Sequence, residues 1–139
     1  MKKFLVLVSL FAIGLTSCSK DDDSSNGGGG SAALEGSWRY TMEGHKVGGE
    51  EFLETYIHNC DANKDYVRFN SGGTMSDYWY DIDCNEDVST GTWSKSGNTI
   101  TATMGGESTT ATITELTSTT LKVEFPDGGI TTVQVYTKM

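Results

Sequence analysis

Basic residues are scarce in this sequence. Lys and Arg number 10 against 19 Asp and Glu, so the net charge of the 139 residues is −9. Binding of nucleic acid needs a basic face that neutralises phosphates, and electrostatic docking on anionic lipid needs clustered basic residues. The charge balance therefore argues against a nucleic-acid partner and against a protein held on a membrane by charge alone.

Histidine is rarer still, which limits the chemistry available to the chain. Only His45 and His58 could serve as the base beside a Ser or Cys nucleophile. Neither lies in a G-x-S-x-G or comparable setting. Two histidines without a C-x-x-C spacing also argue against zinc. We expect a non-catalytic protein without a cofactor.

Two acidic stretches raise the question of calcium. Residues 61–65 have the alternating oxygen ligands that open a calcium loop, but Tyr66 and Gly72 stand where that loop needs Gly and Glu. A polar turn is the better interpretation. Residues 81–87 contain more acidic side chains, and we interpret them as an exposed, solvated loop, with a weak calcium site as the alternative. No metal site is therefore predicted.

Long apolar runs are also missing. Lys2 and Lys3 precede an apolar stretch over residues 4–15, which is shorter than the about 20 residues that span a bilayer and is typical of a secretory signal. The residues Leu15-Thr16-Ser17-Cys18 resemble the lipobox of bacterial lipoproteins. The resemblance implies removal of residues 1–17 and a lipid on Cys18, which would anchor the chain in a membrane. The alternative is a signal cut elsewhere, with Cys18 incidental.

The segment after Cys18 has the composition of a flexible tether. Residues 18–33 are rich in Ser, Asp and Gly and have no apolar periodicity. Loss of Lys2 and Lys3 with the signal would change the net charge from −9 to −11. Ser19-Lys20-Asp21-Asp22-Asp23 resembles the acidic export signal of Bacteroidetes lipoproteins, which implies an outer-membrane lipoprotein on the cell surface. A solvated charge run is the alternative.

Few cysteines remain after Cys18. Only Cys60 and Cys84 follow it, in a chain expected to be exported to a compartment that permits disulfides. We predict that these two residues pair.

Residues 34–139 predict a single all-β domain with one core. The segment contains one proline, and apolar residues recur with period two between Gly-rich turns. Trp38, Tyr40 and Met42 alternate with polar residues, for example, and Val133 and Val135 alternate with Tyr136. The pattern predicts an antiparallel up-and-down meander that closes into a β-barrel of about eight strands, because closure removes unpaired edges. We expect a monomer.

The domain resembles the lipocalin-like domain family of Bacteroidetes lipoproteins. The marks are Leu34-Glu35-Gly36-Ser37-Trp38, Cys60-Asp61, the run from Tyr66 to Gly73, Cys84, Gly91-Thr92-Trp93-Ser94, and the run from Ile113 to Val123. Gly36-Ser37-Trp38 is also similar to the G-x-W signature of lipocalins. That similarity implies a Trp38 that plugs the closed end of the barrel under a basic side chain, either Arg39 or Lys138.

Aromatic residues supply the candidate ligand contacts. In Tyr78-Trp79-Tyr80, strand alternation sends the two tyrosines to one face and Trp79 to the other. Either face could line a cavity, the outer one could bind sugar or protein, and ordinary cross-strand pairing is a further interpretation. Trp38, Tyr40 and Trp93 complete the candidate set, with plain core packing as the alternative for the two tryptophans.

These features together predict a lipid-anchored, surface-exposed, lipocalin-like binding protein. The expected ligand is small and apolar or amphipathic, and it would lie inside the barrel. The alternative is a filled barrel that acts as a non-catalytic accessory or adhesion module and binds a protein or glycan through its outer surface.

Overall fold

The computed structural model describes residues 31–139. A one-turn helix precedes nine strands, and their bounds are α1 (Ser31–Leu34), β1 (Gly36–Val47), β2 (Glu50–Thr55), β3 (Tyr66–Phe69), β4 (Thr74–Tyr80), β5 (Glu86–Ser96), β6 (Thr99–Met104), β7 (Glu107–Leu116), β8 (Thr120–Asp127) and β9 (Ile130–Lys138). Within this part of the chain, no helix has the length and apolar character needed to cross a membrane. The predicted signal peptide, the lipid on Cys18 and the tether up to residue 30 lie outside the described residues.

The strands form a closed antiparallel barrel. Each strand from β3 to β8 pairs with the next, and β1 pairs with β3 on one side and with β9 on the other. Eight strands therefore complete the ring. Strand β2 adds to the far half of β1, in a hairpin that pairs Met42 with Thr55 and Val47 with Glu50. The predicted all-β barrel of about eight strands is confirmed.

A tryptophan closes one end of the barrel. Trp38 is fully buried, and its indole N–H donates to the backbone carbonyl of Leu34 at 2.7 Å. The ammonium of Lys138, on the last strand, lies 4.3 Å from the centre of the indole ring. Of the two basic residues considered, Lys138 therefore covers Trp38. Gly36 has a φ of 114°, and a Cβ there would come within 2.7 Å of the Lys138 nitrogen, so both conformation and space favour glycine.

A β-bulge in β1 changes which side chains face inward. Tyr40 pairs with Tyr136 and Met42 pairs with Val135, with a register shift between the two pairs. Directly paired residues share a face, and successive residues alternate. Tyr40 and Tyr136 therefore lie on the inner face, whereas Met42 lies on the outer face with Val135. The sequence placed Met42 with Tyr40, because strict alternation does not anticipate an inserted residue.

The predicted disulfide between Cys60 and Cys84 is confirmed. It joins the loop that follows β2 to the loop between β4 and β5, with a Cα–Cα distance of 5.1 Å. Cys60 is buried and Cys84 has a φ of 61°. The bond ties down a long loop that has no strand partner of its own. Closing 24 residues of chain contributes roughly 3 kcal/mol in the chain-entropy account.

Candidate functional site

The barrel encloses an internal cavity of about 380 Å³. This volume falls in the lower part of the roughly 300–1,000 Å³ range of small-molecule sites. Most of its wall is apolar and is contributed by Val67, Phe69, Met75, Ile100, Ala102, Met104, Ala111, Leu121, Val123 and Phe125. Such a wall favours an apolar occupant because it cannot hydrogen-bond water.

The cavity opens at the end of the barrel opposite Trp38. Met104 and Glu107 flank the β6–β7 turn at that end, and both line the cavity. Trp79, near the end of β4, also lines it and is 38% exposed. Side chains that touch both the cavity and solvent mark a mouth. A ligand would enter there, because the far end is filled by Trp38 and its neighbours.

One part of the cavity wall is polar. The hydroxyl of Tyr40 lies 3.1 and 3.2 Å from the two carboxylate oxygens of Asp77 and donates to them. The hydroxyl of Tyr136 donates to the amide oxygen of Gln134 at 2.6 Å. These four residues, which we call the polar cluster, come from β1, β4 and β9 and all line the cavity. An apolar space with one convergent polar group is suited to an amphipathic ligand.

Burial controls the ionisation of the polar cluster. Desolvation raises the pKa of the Asp77 carboxyl to about 6, against the opposing effect of the hydrogen bond from Tyr40. Burial also raises the pKa of Tyr40, with added repulsion from Tyr136 and Asp77, and it raises the pKa of Tyr136. At neutral pH the cluster therefore holds neutral phenols beside a carboxyl that is largely ionised and poorly solvated.

The structure divides the candidate aromatic residues into three groups. Tyr40 and Trp79 line the cavity. Trp38 and Trp93 do not, since Trp93 packs edge-on against Phe69 and donates its indole N–H to the Asn70 carbonyl. Tyr78 and Tyr80 alternate with Trp79 and lie on the outer face. The core-packing interpretation of the two tryptophans therefore describes their positions.

The sequence reasoning missed three of the four residues of the polar cluster, Asp77, Gln134 and Tyr136. Asp77 shares a strand face with Trp79, and Gln134 shares one with Tyr136. A signal for Asp77 was available, because a carboxylate two residues from an inward aromatic residue also points inward. No local signal identified Tyr136, because its inward orientation is set by pairing with Tyr40, almost a hundred residues away in sequence.

The outer tyrosines form a separate aromatic surface. Tyr66 and Tyr78 are directly paired across β3 and β4, and their rings stack at 4.3 Å with an angle of 10°. The guanidinium of Arg68 lies 5.8 and 5.7 Å from the two ring centres. Tyr80 donates to Glu86 at 2.7 Å, and this bond raises the pKa of Tyr80 to about 12. We call Tyr66, Arg68 and Tyr78 the outer aromatic face.

The two histidines have structural surroundings. His58 Nδ1 accepts from the backbone N–H of Asp65 at 3.0 Å, which leaves its Nε2–H to donate to the Tyr40 carbonyl at 3.0 Å. Both ring nitrogens of His58 are therefore engaged by backbone groups. The buried Asp65 carboxylate accepts from the Tyr56 hydroxyl and the Tyr80 amide. His45 stacks on Phe52 at 5.5 Å.

The acidic loop after β4 is organised as a turn. The Asp81 carboxylate accepts from the backbone amides of Asp83 and Asn85, both at 2.9 Å, and from the Asn85 side-chain amide. The hydrogen bonds from Asn85 lower the pKa of Asp81. Among the described residues, no group of three or more His, Cys, Asp or Glu side chains is placed to hold a metal ion.

Comparison with known proteins agrees with the geometry. The sequence profile of a family described as a lipocalin-like domain matches residues 34–123. The fold is similar to the crystal structure of a lipocalin-like protein from Bacteroides uniformis ATCC 8492, with a TM-score of 0.58 and 15% identity over 77% of this chain and 99% of that one. It is also similar to an uncharacterized protein from Bacteroides eggerthii DSM 20697, with a TM-score of 0.54 and 13% identity over 76% and 98% of the two chains. No curated protein matches the sequence.

Proposed function

Because the chain belongs to the lipocalin-like domain family, whose fold suggests ligand binding, we propose that it binds a small apolar or amphipathic molecule inside the barrel. The observation that carries the proposal is the 380 Å³ cavity with an apolar wall and one polar cluster. At roughly 30 Å³ for each water-sized atom, the cavity has room for about a dozen non-hydrogen atoms. An eight-carbon alkyl chain with a small head group is of that size.

Filling the cavity should weaken binding. Ala111 is buried and lines the cavity, whereas its neighbour Thr112 is exposed on the same strand. We expect octan-1-ol at 100 times its Kd to stabilise the whole chain by about 2.7 kcal/mol. Ala111→Phe should weaken this binding by at least about tenfold, because the ring occupies the ligand's space, while Thr112→Phe should leave it unchanged.

Thermal unfolding with and without octan-1-ol measures both effects. All chains in this comparison should carry Cys18→Ser, so that no detergent is needed to solubilise a lipid anchor. Equal stabilisation of the Ala111→Phe and Thr112→Phe variants would place binding outside the cavity. Absence of stabilisation by octan-1-ol in the parent chain would count against ligand binding inside the barrel.

We further propose that the protein is an outer-membrane lipoprotein exposed on the cell surface, with the lipid on Cys18. The support is the lipobox-like Leu15-Thr16-Ser17-Cys18 and the acidic residues that follow it. Several acyl chains anchor a protein far more firmly than one chain, because each buried CH₂ contributes about 0.8 kcal/mol.

Cys18→Ser should release the protein from membranes. Without a thiol no lipid can be attached, so we expect the variant in the soluble fraction and the unchanged protein in the membrane pellet. Ser25→Ala, in the same segment, is the matched control and should stay with the membrane. Protease added to intact cells should digest the unchanged protein if it lies on the surface. A Cys18→Ser protein that still sediments with membranes would contradict the lipid anchor.

The outer aromatic face supports a second candidate function. Stacked Tyr66 and Tyr78 with Arg68 alongside form a surface of the kind that contacts sugars and proteins. An accessory or adhesion module that binds a protein or glycan partner would use this face. It becomes the leading function if octan-1-ol leaves the stability of the parent chain unchanged.

A further inference from the structure

We propose that the ligand carries a positively charged amine or ammonium group, bound by Asp77 inside the barrel; this inference rests on the proposed function. The site is the polar cluster, and its natural occupant is a small amphipath with an apolar tail and a cationic head. The tail would lie along the apolar wall. The head would lie beside the carboxylate, between the aromatic rings of β1, β4 and β9.

The negative charge on the cavity wall has no positive counterpart there. Asp77 and Glu107 are the charged residues on the cavity wall, and among the described lining residues none is basic. Asp77 accepts hydrogen bonds from the neutral hydroxyl of Tyr40. They use part of the hydrogen-bonding capacity of the carboxylate but leave its negative charge without a counter-charge. A partly buried carboxylate without a cation is unfavourable. A cationic ligand would supply the missing partner.

Aromatic rings also lie around Asp77. The ring of Tyr40 lies 4.7 Å from that of Tyr136 and 5.3 Å from that of Trp79, and all three residues line the cavity. Aromatic faces attract cations through the ring quadrupole, most strongly where the cation is desolvated. Aromatic rings together with a carboxylate form the chemical environment that recognises ammonium groups and disfavours anions.

The mouth of the cavity is negatively charged. Glu107 flanks the mouth, and Glu43 pairs directly with Gln134, so it lies on the inner face of β1. The whole chain has a net charge of −9. A negative field at a cleft concentrates cations and repels anions. Entry and retention therefore favour the same class of ligand.

Three probes of equal tail length test the inference. Octylamine is protonated near neutral pH, as lysine is, octan-1-ol is neutral and octanoate is anionic. Their Kd values for the whole chain carrying Cys18→Ser can be measured by titration calorimetry. We expect octylamine to bind at least about tenfold more tightly than octan-1-ol, which corresponds to about 1.4 kcal/mol, and octanoate to bind most weakly.

Asp77→Asn provides the matched variant. The amide keeps the shape of the side chain and an acceptor for the Tyr40 hydroxyl but removes the charge. The ratio of the octan-1-ol Kd to the octylamine Kd, which we call the amine-to-alcohol ratio, should therefore fall to about one. Glu115→Gln removes one negative charge at an exposed position near the closed end of the barrel and should keep the ratio. The ratio in the parent chain decides the question even where a variant folds poorly.

The outcomes separate the two proposals. If the three probes bind equally, the amine inference is overturned while ligand binding stands. If octanoate binds best, the site prefers an anionic head group and the amine inference is overturned. If no probe binds, the amine inference fails together with the proposed function. A preference for octylamine that survives in Asp77→Asn would place the head group elsewhere and overturn the assignment to Asp77.

Discussion

Replacing Trp38 with alanine is expected to lower the free energy of unfolding by about 3 to 5 kcal/mol, the range for removal of a large buried aromatic side chain. Trp38 has no exposed surface, so its loss leaves a cavity at the closed end. The substitution also removes the donor to the Leu34 carbonyl and the ring beneath Lys138. Since domains of this size unfold with about 5 to 15 kcal/mol, the variant should lose a large share of its stability.

Denaturant unfolding of three variants measures the effect and its cause. Trp38→Phe keeps much of the packing but lacks the indole N–H. Its free energy of unfolding should therefore fall by less than that of Trp38→Ala. Trp79→Ala makes the same chemical change at a residue that is 38% exposed and should have the smallest effect on stability. A Trp38→Ala loss below about 1 kcal/mol would mean that the ring does not close the barrel.

Asp77→Asn is expected to stabilise the protein at about pH 7.5 and to have no stabilising effect near pH 4. The pKa of Asp77 is raised from 3.8 to about 6 by burial, so the folded protein holds this proton more tightly than the unfolded chain does. The contribution to stability is present below about pH 4 and is lost as the pH rises through about 6. The difference in pKa corresponds to at most about 3 kcal/mol.

The sign of this effect distinguishes Asp77 from an ordinary surface carboxylate. The groups around it are the phenols of Tyr40 and Tyr136, the carboxylate of Asp65 and, at the mouth, Glu107. The phenols remain neutral across this pH range because burial raises their pKa. Urea unfolding from about pH 4 to pH 8 should therefore show the stability difference growing with pH.

An exposed carboxylate is the matched control for Asp77. Asp87→Asn, on β5, makes the same change at an exposed residue and should leave the pH dependence of stability unchanged. A stability difference for Asp77→Asn that is constant with pH would show that its carboxyl is not desolvated. Equal pH profiles for the two variants would lead to the same conclusion.

A carboxylate that lowers stability at neutral pH has consequences for function. Asp77 is desolvated, and an asparagine would still accept from Tyr40 without the charge. Groups with perturbed pKa values collect at functional sites, where activity needs an arrangement that stability alone would not favour. The expected gain from Asp77→Asn and the expected loss of amine preference therefore measure the same property of one residue.

Much of the fold was predictable from local patterns. Alternating apolar residues between Gly-rich turns predicted antiparallel strands, because side chains in a strand point to opposite faces with a period of two. The count of such segments predicted a closed barrel. The pairing of Cys60 with Cys84 followed from their being the cysteines left after Cys18 in a chain expected to be exported. These features depend on residue type and order, which sequence contains in full.

The inner face of each strand was less predictable. Tyr78-Trp79-Tyr80 carries aromatic residues on both faces, so alternation alone did not show which face was inside. The structure puts Trp79 at the cavity and the tyrosines outside. The bulge between Tyr40 and Met42 likewise depends on how β1 meets β9. Choices of this kind are made by pairing between distant strands, not by neighbouring residues.

The sequence by itself determined an acidic, all-β domain with a disulfide, because these features follow from composition, period and the number of cysteines. The plugging position of Trp38 was implied by the similarity of Gly36-Ser37-Trp38 to the lipocalin signature. Only the tertiary structure decided that a 380 Å³ cavity remains and that Asp77 lies in it beside Tyr40 and Tyr136. The physical reason is that a cavity is the small difference between the volume a barrel encloses and the volume its side chains fill. The cavity volume and the position of the Asp77 charge both depend on residues from β1, β4 and β9, which meet only after the barrel closes.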